Sequence, residues 1–265
     1  MKRGVHLFAS LMALLAFVLP GGCSKDNNPV KSNLPPEAYL WVHFESDSAR
    51  VEFEALPRID AGGVEAIQLS EFVDTTLIPP YRDKNGNAFD SRTLFAYQIV
   101  ADDGYSASGT KGYPDNIWSH LQLGHILTTT RQVVFPDDKI DLAGAYNVKT
   151  ARHIYVHRKL DLEKPDSTVF VELRSIATTQ ITNFDGNLEN VIPLKDVVLL
   201  FVDSPQSYSY NLRTLDDFGP STSLTWEQFQ TGYWLLISEK TRFTDTSLVG
   251  GAYKLKVLES IQIIP

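Results

Sequence analysis

Cysteine is almost missing from this chain: Cys23 is the only one in 265 residues. An intramolecular disulfide is therefore excluded, and so are a cysteine-ligated metal site, a zinc ribbon and a thiol nucleophile in any folded part that lacks residue 23. Basic residues are outnumbered, with 24 Lys and Arg against 32 Asp and Glu and a formal net charge of −8. That balance argues against a nucleic acid partner, since such binding rests on cationic contacts to phosphate. Beyond the N-terminus, no apolar run is long enough to cross a membrane as a helix. Gly-x-Ser-x-Gly elbows, phosphate-cradling glycine loops, His-Glu-x-x-His helices and dinucleotide fingerprints are all absent. What is left is an ordinary globular composition, 43% hydrophobic and 11% aromatic, in a chain long enough for one or two full cores.

The N-terminus reads as a signal peptide. A short basic start, Met1-Lys2-Arg3, leads into an apolar run from Val5 to Leu19 that is too short to stay as a span, and small residues follow. With Pro20-Gly21-Gly22-Cys23 it resembles a bacterial lipoprotein signal, although Pro20 and Gly21 replace the usual small or aliphatic residues. The resemblance implies cleavage after residue 22, acylation of Cys23 and stable attachment to membrane lipid through several acyl chains. It places the protein in the cell envelope. Ser24 gives no inner-membrane retention signal of the aspartate type, so the outer membrane is the expected destination. Loss of residues 1–22 moves the formal charge from −8 to −10. Residues 23–37 are polar and proline-punctuated, as a flexible tether would be.

One pattern occurs twice in the remainder. Trp118, Leu121, Gly124, Leu127, Phe135 and Asp137 match Trp226, Phe229, Gly232, Leu235, Phe243 and Asp245 at a spacing of 108 residues. Gly144-Ala145-Tyr146, Val148-Lys149 and Ile154 then match Gly251-Ala252-Tyr253, Leu255-Lys256 and Ile261 at 107. The expected fold is α+β and β-rich: two tandem homologous units, each of mixed sheet with short helices, over 38–160 and 166–265, joined by a short charged linker at 160–165.

Alternation and β-branched or aromatic content predict strands at 39–44, 51–55, 95–100, 133–135 and 148–157, and again at 169–173, 208–213, 234–237 and 255–263. Short helices are expected at 67–73 and 192–198, with Pro193 suited to a helix start. Further helical turns should follow Asp115 and Ser223 as N-caps and stop at Gly124 and Gly232 in the left-handed conformation.

Several residue groups could carry chemistry. The acid pairs Asp102-Asp103, Asp137-Asp138 and Asp216-Asp217 point to opposite faces if extended, so turn formation is the simpler explanation. Asp83-Lys84-Asn85-Gly86-Asn87 has the spacing of the start of a calcium loop but no closing glutamate, and Asn-Gly favours a turn. His43, His120, His125, His153 and His157 all lie in the first half, where their matched positions in the second half carry other residues. His153 and His157 stand roughly 13 Å apart along a strand, too far to share a metal. A site retained in one half only would therefore be lined by Asp103, Tyr105, His120, His125, Arg131 and Lys149 as candidate ligand-binding residues; no catalytic or metal-ligating residue is assigned. Trp41, Trp118, Trp226 and Trp234 read as core, though an exposed aromatic platform would look the same.

The helices at Leu69-Ser70-Glu71 and Leu194-Lys195-Asp196, the strand ending Asp103-Gly104-Tyr105, and the Tyr-x-Val-Lys-x4-Ile-x-Val strand from Tyr146 to Val156 resemble the molybdopterin-binding domain of sulfite-oxidase-like oxidoreductases. The resemblance implies a pterin pocket in which a cysteine thiolate binds molybdenum and Arg, His and Lys meet phosphate and substrate. Lys149 and Lys256 stand where that family often has a lysine, but no cysteine is available. The expected function is accordingly a non-catalytic binding or assembly protein made of two degenerate oxidoreductase-like modules, without cofactor. Its ligand would be a protein or small molecule held in the groove between the units or at loops 102–114 and 216–223. A molybdopterin-dependent oxidoreductase and a carbohydrate-binding or adhesin-like surface module are the alternatives.

Overall fold

A computed structural model describes residues 37–107, 116–248 and 251–265. The signal peptide, Cys23, the tether up to residue 36, and Asp115 lie outside the described residues. Among the described residues no helix is long and apolar enough to cross a membrane. The described residues are β-rich, with three short α-helices and mixed sheets, as expected for the class.

The first half runs β1 (Tyr39–Phe44), β2 (Asp47–Glu52), β3 (Ile59–Asp60), β4 (Glu65–Gln68), β5 (Tyr81–Arg82), β6 (Ala88–Phe89), β7 (Phe95–Ala101), α1 (Trp118–Leu121), β8 (His125–Leu127) and β9 (Val133–Val134). A long strand, β10 (Ala151–Lys164), leads into β11 (Ser167–Glu172), β12 (Thr179–Thr182) and β13 (Leu188–Pro193). The chain ends with α2 (Leu194–Leu199), β14 (Ser209–Thr214), α3 (Trp226–Phe229), β15 (Gly232–Leu235), β16 (Lys240–Phe243) and β17 (Leu258–Ile264).

β10 organises the large sheet. Its N-terminal part pairs with β1 in parallel and with β7 antiparallel. Its C-terminal part, from Lys159, pairs with β11 antiparallel and with β17 in parallel. Hairpin β1–β2 and the antiparallel pair β14–β17 complete the seven strands. Two four-stranded sheets, in the orders β3-β4-β8-β9 and β12-β13-β15-β16, stand apart from it, one per half. The expected linker at 160–165 is therefore not a linker. Leu160 and Leu162 alternate in phase with Ile154 and Val156, so the period-2 pattern carries through the charged residues between them. Ile154 and Val156 join a core around Leu40, Phe53, Leu69, Leu121 and Phe135, while Leu160 and Leu162 join a second core around Leu194, Tyr210, Trp226 and Phe229. Each fully buried aliphatic or aromatic side chain contributes about 1.5–3 kcal/mol to these cores.

Three local expectations change. The segments at 67–73 and 192–198 each begin as strand and end as helix, a single 3-10 turn at Leu69–Phe72 and α2. At α3 the N-cap is Thr225 rather than Ser223: its hydroxyl accepts the Gln228 N–H while the Gln228 side chain accepts the Thr225 N–H. Gly124 and Gly232 are not left-handed stops, since neither has positive φ. They are glycine because a ring lies on them. A Cβ on Gly124 would sit 2.6 Å from Phe135 Cε1 and 2.7 Å from Leu69 Cδ1, and one on Gly232 would sit 2.5 Å from Phe243 Cε1 and 3.0 Å from Leu194 Cδ1.

Gly232→Ala should therefore destabilise the fold by about 1–3 kcal/mol through overpacking, read as a lower urea midpoint. Adding Phe243→Leu should recover part of the loss. An unchanged midpoint in the single variant would contradict the ring-on-glycine contact.

Candidate functional site

The core-facing row of β10 reads Ile154, Val156, Arg158, Leu160, Leu162, with an arginine where the two cores meet. Its guanidinium is anchored by main chain: Nη1 donates to the carbonyls of Leu94 (3.2 Å) and Lys159 (2.8 Å), and Nη2 to that of Leu258 (2.7 Å). No ion pair reaches it among the described residues. Burial lowers its pKa to about 10, against the opposing pull of Glu239, Glu45, Asp161 and Glu259. The Trp234 ring centroid lies 5.7 Å from its Cζ.

Arg158 lies in the wall of a cleft of about 820 Å³ between the two halves of the chain, well within the usual range for small-molecule sites. One wall comes from residues 77–82, in a stretch running from Thr75 to Phe89 that has no counterpart in the second half, where only five residues separate α2 from the 3-10 turn at Pro205–Ser207. Ser91 Oγ accepts the Tyr81 N–H at 2.8 Å and fixes that wall. Burial, then the charges of Asp216 and Asp83, push the Tyr81 phenol up. The opposite wall carries Ile176, Ile192, Trp234, Leu236, Glu239 and Lys256. Leu77 and Leu236 are exposed there.

A buried carboxylate holds the turn that carries Leu236 and Glu239. Glu189 Oε1 accepts the N–H groups of Ile237 and Ser238, both at 2.8 Å, and Oε2 accepts Asn183 Nδ2 at 3.0 Å. Burial works to raise this carboxyl, but the Ser238 and Ile237 N–H groups, the Asn183 amide and the Ser238 hydroxyl outweigh it and hold it below its ordinary value. Glu239 and Val257, both in the cleft, have positive φ, but so do Arg131 and Thr150 at matching places in the first half; their strain belongs to the scaffold.

The residues picked out by sequence do not gather here. Asp103 is exposed in the turn after β7, and its Oδ1 accepts the Tyr105 N–H at 2.9 Å. Tyr105 donates its hydroxyl to the Ala145 carbonyl at 3.0 Å. Arg131 is paired to Asp102, in a cluster that includes Glu37 and Arg152. Lys149 is exposed, and His120 is half-buried on α1. His125 is buried, lowered in pKa by burial, and faces a separate cleft with Gln68 and Gln122. None of the six lines the cleft around Arg158. Asp83 forms a turn, its Oδ1 accepting the Asn85 and Asn87 N–H groups and its Oδ2 the Asn87 amide. Trp118, Trp226 and Trp234 are buried, whereas Trp41 is half-buried on the outer face of the large sheet.

Two further histidines meet on that outer face. His43 Nε2 lies 3.0 Å from His153 Nδ1, and the His43 ring stacks on Tyr155 at 4.3 Å. Burial is the main cause lowering both histidines, with further lowering of His43 by His153 and of His153 by Arg152. His157 instead pairs with Glu172 at 3.3 Å. Among the described residues no three His, Cys, Asp or Glu side chains are grouped to hold a metal ion. The positions that the pterin resemblance pointed to, Lys149 and the turn at Asp103-Gly104-Tyr105, do not share the cleft with the arginines, so they do not fit a common cofactor cradle there. No family model matches the chain, and neither a curated protein nor a solved structure matches it significantly.

Sequence reasoning missed Arg158 and Arg174, which also lines the cleft, and read Trp234 only as core. The signal for Arg158 was present: it falls in phase with four aliphatic residues on one strand.

Since the folded Glu189 carboxyl titrates below its unfolded value of 4.5, the stability it contributes is complete above that value and is lost as pH falls through the folded pKa. Urea midpoints should thus drop less on acidification in Glu189→Gln than in wild type. Parallel pH profiles would contradict the assignment.

Proposed function

We propose that this is a lipid-anchored, extracytoplasmic envelope protein built from two tandem degenerate oxidoreductase-like modules, which binds a small molecule in the cleft between them without transforming it. Several features support the duplication. The spaced residue matches coincide with a repeated strand order, β2-β1-β10-β7 and β11-β10-β17-β14, with the same alternation of antiparallel, parallel and antiparallel pairs. The same phenylalanine-on-glycine contact occurs in both small sheets. Acylation of Cys23, and with it an outer-membrane location, is supported by the sequence pattern alone.

One observation carries the binding reading: a half-buried guanidinium held by three main-chain carbonyls, with no carboxylate at ion-pair distance among the described residues, in the wall of a roomy cleft with apolar residues on both sides. Taking a cation partly out of water with no ion-pair partner carries a desolvation cost, which a bound anion would offset. The stretch unique to the first half forms one wall, so the cleft is an addition to the repeated scaffold.

Two measurements test this. Cys23→Ala should move the protein from the detergent phase to the aqueous phase on detergent partition of cells; unchanged partition would refute the anchor. Mature protein should enhance the fluorescence of the neutral apolar dye phenylnaphthylamine, and Leu236→Trp, which fills the cleft from an exposed position, should weaken that binding at least about tenfold. Equal binding by the variant would refute the cleft as the site.

A further inference from the structure

We infer that the ligand of this cleft is an amphipathic organic anion, a single oxyanion head on an apolar or aromatic body, with the head on Arg158. The inference rests on the binding reading above and names its chemistry.

Three of the five Arg158 N–H groups are committed to the carbonyls of Leu94, Lys159 and Leu258. These bonds come from both halves of the chain and fix the plane of the guanidinium, so little side-chain entropy is left to lose on binding. The Nε–H and one Nη2 hydrogen have no acceptor among the described residues. Two donors from one planar group suit an oxyanion that accepts in two places. Main-chain carbonyls, being dipoles, hold the cation in position without neutralising it. Glu239, Glu45, Asp161 and Glu259 act on its charge from a distance, but among the described residues none is at ion-pair distance, so a direct anionic partner is left for a ligand to supply.

The surroundings favour an anion over a cation or a neutral polar ligand. Arg82, Arg174 and Lys256 also line the cleft, against Glu45 and Glu239, so the lining is net positive in a chain of net charge −8. Glu45 Oε1 is turned to the Arg158 main-chain N–H at 2.6 Å, which makes it part of the strand junction. Lys256 is exposed, with its ammonium 5.7 Å from the Tyr81 ring centroid across the cleft. Arg174 lies near Glu172 and over the Tyr155 ring, a rim group that is already engaged. Apolar surface lies on both sides of this cationic floor, from Leu77, Ile78 and Pro79 and from Ile176, Trp234 and Leu236. Phe44 and Phe95, with ring centroids 5.3 Å apart, close one end. An inorganic ion would leave those surfaces wet, and a neutral apolar molecule would leave Arg158 unpaired. A head and body together satisfy both.

The test compares two dyes that differ by one sulfonate. Anilinonaphthalene sulfonate should bind mature wild-type protein at least about tenfold more tightly than neutral phenylnaphthylamine, and Leu236→Trp should weaken both. In Arg158→Met, with folding checked by circular dichroism, the ratio should fall toward one. Should that variant not fold, Arg158→Lys and the surface change Lys256→Gln should each lower the ratio, because both alter how the head is held while keeping the strand intact. Displacement of the sulfonate dye by decanoate or by phenyl phosphate identifies the head as carboxylate or phosphate; displacement by neither overturns the inference. Equal affinity for the two dyes in wild type, or a ratio untouched by every one of these substitutions, would overturn the anion assignment and leave the cleft as a site for neutral ligands. Failure of both dyes to bind would instead remove the binding reading itself.

Discussion

A single extended strand carries both cores. Because β10 continues for fourteen residues, the pleat that buries Ile154 and Val156 in one core must bury Leu160 and Leu162 in the other, on the same face and in fixed register. The middle residue of that row is half-buried, at the point where the row passes from one core to the other. An aliphatic side chain there would be half-exposed. Arg158 instead extends its stem along the apolar floor and ties its head to carbonyls from β17 and from the turn before β7 as well as its own strand. It bridges the halves through main-chain carbonyls, with no ion pair to either among the described residues.

The repeated contact of a phenylalanine ring on a glycine shows how the same architecture is held twice. In each half the glycine stands at the start of a strand that follows a one-turn helix, just before β8 or as the first residue of β15, and it is covered by a ring at the end of the neighbouring strand and by the leucine that opens an earlier helical turn, Leu69 or Leu194. With no Cβ in the way, sheet and helix approach closely enough for the tryptophan and its partner, Leu121 in one half and Phe229 in the other, to reach the core. Under the proposed duplication these positions persist because packing requires them, while the histidines and acids around them were free to diverge.

Much of this was legible in the sequence. The strands at 39–44, 95–100 and 208–213 follow directly from alternation and aromatic content, and the Trp-x-x-Leu/Phe-x-x-Gly spacing marks the recurring helix. What escaped were features set by tertiary contact. Glycine after a helix suggests a left-handed stop, and only the facing ring shows that its role is clearance. Ser223 and Thr225 are both good caps, and Gln228 three residues on decides for Thr225. Lys159, Asp161 and Glu163 made a strand look like a linker, because charge content is easier to see than phase. The same charges hid Arg158. Looking for one-half-only residues led to histidines and acids, but these sit on turns, on outer faces or at a separate cleft, since a difference between the two halves marks freedom to vary as readily as it marks use.

The stretch from Thr75 to Phe89, present on one side only, has a consequence for how such a protein can change. It contributes a full wall of the cleft yet supplies few residues to either core, chiefly Ile78 at its base. Its length and side chains can therefore drift at small cost to stability, while the cationic floor stays pinned by a strand that cannot move. Under the proposed binding, selectivity for the body of a ligand and retention of its head are thus written in separate parts of the gene, and a lineage can retune the first without risking the second.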